Sequence, residues 1–203
     1  MQKYIDFSRI SWNCHHLHID KSLIVNKNIL KKSNNHMKNK WTIMRDIKQN
    51  YTDDDLRNRM LLTTNNLVNQ GCHNFRTFID VDNIVGLRPL EISLDIKKYW
   101  KTKNINMQIG TQLLEGLDND NNISLFNEAS KMVDFIGCLP SRDKNPENHL
   151  DIVFSKAKEL NKDIEAHLDQ CNVPQEKETE LFCDYVEKYN YQGKARAIHC
   201  ISL

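Results

Sequence analysis

The chain has 203 residues, of which 39% are hydrophobic and 27% charged, with a formal net charge of +1. This composition excludes a disordered chain and fits a globular protein of one sizeable domain or two small ones. The near-zero charge removes any electrostatic case for nucleic acid or an anionic membrane as partner.

No apolar run approaches the ~18 residues of a membrane span. The start, Met1 to Asp6, lacks the apolar core of a secretory signal. The six cysteines are Cys14, Cys72, Cys138, Cys171, Cys183 and Cys200, and none form a C-x-x-C pair, so neither a zinc ribbon nor a thioredoxin-type motif is expected. Cys138 and Cys200 lie in apolar runs and read as small buried residues. A reducing, cytoplasmic setting is the expectation.

In chain order, residues 25–50 are rich in Lys and Asn, with Trp41, Ile43 and Met44 as their apolar cluster. They read as a long surface loop leading into a helix. Thr52 caps a helix through Val68, with Leu56, Met60, Leu67 and Val68 on one side and Gly71 as the stop. The run Asp53-Asp54-Asp55 suits that helix N-terminus through the macrodipole, and no EF-hand spacing follows it. Strands are expected at 74–81, 105–111, 133–139, 163–168 and 195–201. Asn145-Pro146 opens a helix carrying Leu150, Val153, Phe154, Ala157 and Leu160 at helical spacing. Pro174 opens another, with Leu181, Phe182, Tyr185, Val186 and Tyr189 inward and Gly193 beyond its end. Trp41 and Trp100 read as packing residues, and His15, His36, His73 and His149 as surface residues.

Alternating strands and helices imply a parallel sheet with right-handed crossovers. No G-x-G-x-x-G turn or P-loop marks a doubly wound sheet, so a TIM-type (β/α) barrel is the better fit. In such a barrel chemistry gathers at the C-terminal strand ends. His16, Asp80, His167 and His199 all fall at or near expected strand ends. His16 and His18 are two residues apart, so in an extended segment they point to one side and can share an ion. Histidines drawn from separate strand ends can hold zinc, with water in the fourth position. Iron or manganese suits the same donors.

At these residues the chain resembles the amidohydrolase superfamily, in its cytosine-deaminase-like branch. His16-Leu17-His18-Ile19-Asp20-Lys21 resembles the first-strand H-x-H-x-D signature. Arg76-Thr77-Phe78-Ile79-Asp80-Val81 resembles the second-strand R-T-H-V-D-V stretch. Gly137-Cys138-Leu139-Pro140 looks like the G-x-x-P after a middle strand. His167-Leu168-Asp169-Gln170 resembles the fifth-strand H-x-D-E, and Ala197-Ile198-His199 the sixth-strand A-S-H.

The resemblance implies metal-dependent hydrolysis of a C–N bond in a small heterocyclic or cyclic-amide substrate. A divalent cation lowers the pKa of water towards ~7. By position, His16, His18 and His167 are the metal ligands. His199 polarises or holds water and substrate, with Gln170 and Asp169 beside it. Asp169 also suits a turn cap. Asp80, Gln112 and Leu114 are the expected substrate-facing positions.

The chain departs from the family pattern in several places. A whole barrel takes ~250 residues, so 1–203 is expected to be a single incomplete barrel domain with about six of eight βα units. The eighth-strand Asp ligand has no counterpart. Gln170 stands where the family has a proton-shuttling Glu, and loss of general acid–base help costs ~10²–10⁴ in rate. Leu114 aligns with the family's pyrimidine-recognising Gln, and Phe78 with its second-strand His. An incomplete barrel has open strand edges, which predicts self-association or a complementing chain. Two readings follow: a C–N hydrolase, or a catalytically inactive remnant acting at most through protein contacts.

Overall fold

The computed structural model describes residues 11–33, 37–171 and 173–202. Its strands are β1 (Trp12–Leu17), β2 (Cys72–Asp80), β3 (Asn106–Gln112), β4 (Ile136–Cys138), β5 (Ile164–Leu168) and β6 (Ala195–His199). Every named pairing is parallel and follows chain order, β1-β2-β3 and β4-β5-β6. A parallel bridge between Gly110 and Phe135 links the two sheets. Such pairing needs crossovers, and helices supply them. These are α1 (Lys27–Lys32), α2 (Met37–Lys48) and α3 (Asp53–Asn69) before β2, then α4 (Arg88–Lys101), α5 (Asp120–Met132), α6 (Pro146–Leu160) and α7 (Glu178–Tyr189) between successive strands.

The outer sheet face forms the core with these helices. Phe75, Ile79 and Ile109 pack with Leu56 and Met60 of α3 and Leu90 and Ile96 of α4. Ile136, Ile164 and Ala166 pack with Phe126 of α5, Phe154 of α6 and Phe182 of α7. The inner face is partly polar. Arg76 lies over the Phe135 ring at 4.2 Å and pairs with Glu165 at 2.9 Å. Phe78 fills the space beneath the strand ends, and Gly137 makes room for it, since a Cβ there would collide with the Phe78 ring and the Thr111 carbonyl.

Local signals fix several boundaries. Thr52 accepts from the Asp55 N–H, and Asn145 from the Asn148 N–H, as N-caps do. Other elements depart from expectation. Residues 25–50 form two helices rather than a long loop. Asn26 caps α1 by accepting from the Asn28 and Ile29 N–H groups. The inward side of α2 holds Trp41 and Lys48, both buried, and a lysine there hides the apolar spacing. The last helix starts at Glu178, not Pro174, because Asp169 accepts its N–H from nine residues away. β4 is shorter than 133–139, since Val133 caps α5 and the Asp134 carboxylate accepts the Ile109 N–H. β6 stops at His199, which takes a left-handed φ of 74° followed by 51° at Cys200, so Cys200 is partly exposed rather than buried.

His149 is buried, not at the surface. Its Nε2 accepts the Leu139 N–H at 3.2 Å and its Nδ1 bonds Asp143 at 2.7 Å. An imidazole satisfied at both nitrogens tolerates burial. His15 and His73 are exposed, and His36 lies outside the described residues.

Candidate metal centre

The site forms where the ends of β1, β5 and β6 come together. After β1, a 3-10 turn (Ile19–Lys21) is held by the Ile19 N–H donating to Thr77 Oγ1 at 3.1 Å. This places His16 and His18 side by side, with their Nε2 atoms 3.2 Å apart. The His167 ring at the end of β5 lies 5.0 Å from that of His16 and 5.3 Å from that of His18, centroid to centroid. One donor atom from each of His16, His18 and His167 falls within 4.8 Å of the others. His199 stands alongside, its ring 5.4 Å from His167 and 6.1 Å from His16. The first strand can reach the fifth and sixth only if the sheets curve strongly, as a barrel wall does.

Phe78 supports the cluster from below. Its ring lies 4.7 Å from His167, 5.0 Å from His16 and 5.3 Å from His18. The position thus supplies packing rather than a nitrogen donor.

Burial lowers the pKa of all of these histidines, most strongly at His18 and His167. Lys21 and the neighbouring imidazoles add to it at His18. At His167 the imidazoles of His16 and His199 and then Lys21 add to burial, while the nearby Cys138 backbone pulls the other way. The rings are therefore neutral near pH 7, with lone pairs free. Nδ1 of His18 and both ring nitrogens of His167 are buried and make no hydrogen bond among the described residues. Neutral converging imidazoles with unmatched nitrogens are the donor set that a zinc-like cation requires, so the residues fit such an ion.

A cavity of about 450 Å³ opens over the rings, lined also by Lys21, Gln112, Leu114 and Gln170. Its far wall is α2, through Met37, Lys40, Trp41 and Met44. The expected positions Gln112 and Leu114 thus share one cavity with the histidines, and Gln170 and His199 join them.

Asp80 and Asp169 stand apart from it. Asp80 is buried and accepts from Lys21 Nζ at 2.5 Å and from Lys48 Nζ at 3.0 Å. Burial alone would raise its pKa, but the two ammonium groups outweigh burial and hold it below the usual range. Asp169 accepts from the Glu178 N–H at 3.0 Å and from Thr179 Oγ1, bracing the start of α7.

The spacing of the histidines did not reveal α2 as a wall. Lys48 also pairs with Asp82, and Arg45 with Glu115, which pins α2 to the ends of β2 and β3. Arg142 stacks over Trp41 at 4.4 Å and donates from Nε to the Leu114 carbonyl at 2.5 Å. The one sequence signal was the spacing Trp41, Met44, Lys48 on a helical face.

Among the described residues, no helix is long and apolar enough to cross a membrane. No protein-family model matches the chain. An uncharacterized protein of Haemophilus influenzae is 29% identical over 197 residues, covering 95% of this chain and 71% of that protein. Two crystal structures of 5-methylcytosine deaminase from Klebsiella pneumoniae match at 22% identity, with TM-scores of 0.80 for the 5-fluorocytosine complex and 0.78 for the phosphonocytosine complex. N-isopropylammelide isopropylaminohydrolase from Burkholderia multivorans matches at TM-score 0.73 and 19% identity. These matches cover 90%, 90% and 91% of the chain, which spans 45%, 45% and 47% of the solved structures. Parallel sheets flanked by helices, similar to amidohydrolase TIM barrels, are thus the fold of this chain.

Proposed function

We propose that the chain is the metal-binding part of a hydrolase of the amidohydrolase type, acting on a C–N bond of a small heterocyclic or cyclic-amide substrate. The observation that carries this reading is the convergence of His16, His18 and His167 donor atoms within 4.8 Å at the floor of a cavity. These residues would hold one divalent cation, zinc or else iron or manganese. When bound, the cation supplies Lewis acidity and lowers the pKa of water towards ~7.

His199 faces the cluster and is placed to hold water or a substrate oxygen by a hydrogen bond. Gln170 orients what binds beside it but carries no titratable proton in the useful range. The fold similarity supports the reading, as does the ordered set of strand-end motifs. The six strands are read as about six of the eight units of a barrel, in a single incomplete domain. Among the described residues β1 and β6 end the strand order, and their outer edges would take a copy of the chain or further strands from elsewhere. A cytoplasmic setting is part of this proposal.

A specific observation favours the second reading, an inactive remnant. No carboxylate lines the cavity among the described residues, so nothing there replaces a proton-shuttling Glu.

Metal analysis separates the two. Protein purified without chelator should carry about one equivalent of zinc, iron or manganese, and replacing His16 and His18 with Ala should remove it. Wild-type content below roughly a tenth of an equivalent overturns the hydrolase reading.

A further inference from the structure

We propose that the cavity selects a ring presenting an uncharged amide edge, an N–H beside a C=O, over a basic amino-heterocycle, and that Gln112 and Gln170 read that edge. The inference rests on the hydrolase reading and sharpens its substrate class.

Gln112 ends β3 and is buried, and its Oε1 has no hydrogen-bond partner among the described residues. Gln170 follows β5, and its Nε2 is likewise buried and unmatched. Both side chains line the cavity over the histidine rings. An acceptor and a donor withdrawn from water are costly unless something satisfies them. A ring N–H can donate to Gln112 Oε1 while the adjacent carbonyl accepts from Gln170 Nε2. Each carboxamide carries both an acceptor and donors, so turning both reverses the roles and suits the same edge in the opposite sense.

Charge points the same way. The lining includes Lys21 and Lys40 and, among the described residues, no carboxylate. The acids behind the lining face cations of their own, Asp20 and Asp80 facing Lys21, Asp80 and Asp82 facing Lys48, and Glu115 facing Arg45. A protonated amine would meet like charge and no counter-ion, whereas carbonyl oxygens would meet ammonium groups. Leu114, which neither donates nor accepts through its side chain, leaves polar recognition to the two glutamines. Trp41 offers an aromatic face to a flat ring.

The test is calorimetric binding to the full chain, with succinimide, N-methylsuccinimide and 4-aminopyridine as probes. Succinimide has the N–H beside a carbonyl, N-methylsuccinimide lacks the N–H, and 4-aminopyridine is a cation at neutral pH. Succinimide should bind on the order of tenfold more tightly than either. Gln112→Leu and Gln170→Leu should each weaken succinimide by about tenfold. Equal affinity for the two imides, a preference for 4-aminopyridine, or no binding of any probe overturns the proposal. The comparison of imides needs no variant, so it survives a variant that fails to fold. Metal content is measured on the same samples. Metal-loaded protein that prefers 4-aminopyridine overturns the glutamine assignment alone. Metal-free protein that prefers succinimide supports the glutamine pair and overturns the hydrolase reading.

Discussion

Lys48 Nζ lies 3.0 Å from Asp80 Oδ2, with both side chains buried. The lysine belongs to α2 and the aspartate to the end of β2, so this contact, with the Lys48–Asp82 pair beside it, ties the cavity wall to the sheet. Burial opposes the charge on Lys48, and the two carboxylates outweigh it, so its pKa is raised. Removing one partner of a buried pair leaves an uncompensated charge and costs about 3–5 kcal/mol. Lys48→Met is expected to destabilise the protein by that order in urea denaturation and to alter the fluorescence of Trp41. A loss under about 1 kcal/mol would mean that α2 is not pinned by this lysine.

A Cβ at Gly137 would collide with the Thr111 carbonyl and meet the Phe78 ring at 2.7 Å, so no side chain fits there. Gly137→Ala should therefore cost about 1–3 kcal/mol through overpacking. The double variant Gly137→Ala, Phe78→Leu should recover part of that loss, because the two sites touch and their effects are not additive. Chemical denaturation of the four proteins gives the cycle, and strict additivity would refute the Phe78 part of the clash and leave the Thr111 carbonyl as the whole obstruction.

Acid should destabilise the histidine cluster before it protonates most carboxylates. His18 and His167 have pKa values well below the ordinary 6.5, chiefly from burial. The unfolded chain then binds protons at a pH where the folded chain does not. Their contribution is full above pH 6.5 and falls as pH drops below it towards the folded values. Asp20 and Asp82, whose pKa values are raised mainly by burial, act in the opposite direction at lower pH. The melting temperature of wild type minus that of His167→Asn, followed from pH 8 to 5, cancels the carboxylates and should decline on acidification. A flat difference would show that the buried ring does not titrate as its surroundings require.

Added zinc should raise the melting temperature of wild-type protein and leave His16→Ala, His18→Ala unmoved. A ligand at 100 times its Kd stabilises the state that binds it by about 2.7 kcal/mol. Equal shifts in both proteins would place the binding elsewhere.

Much of this molecule was legible in its chain. Strands β2, β3 and β5 stand close to their expected places because apolar residues recur on one face of each, Phe75 and Ile79, Met107 and Ile109, and Ile164, Ala166 and Leu168. Thr52 and Asn145 announced their helices because a cap acts within three residues. The i, i+2 spacing of His16 and His18 foretold a shared side, and the strand-end motifs named His167 and His199 as their neighbours.

Tertiary structure decided the rest. Whether α2 was loop or wall depended on Lys48 finding Asp80 and Asp82, more than thirty residues away. His149 changed from surface to core because Asp143 and the Leu139 N–H matched its two nitrogens. Asp80 turned from the cavity to a pair of lysines, and Asp169 to the start of α7. The sequence by itself determined which segments bury apolar surface and which residues can ligate, since those follow from local spacing and side-chain chemistry. Which charges neutralise one another, and so which polar groups are left to face a ligand, was decided only when distant segments met, because an ion pair or a matched hydrogen bond exists only between groups the fold brings into contact.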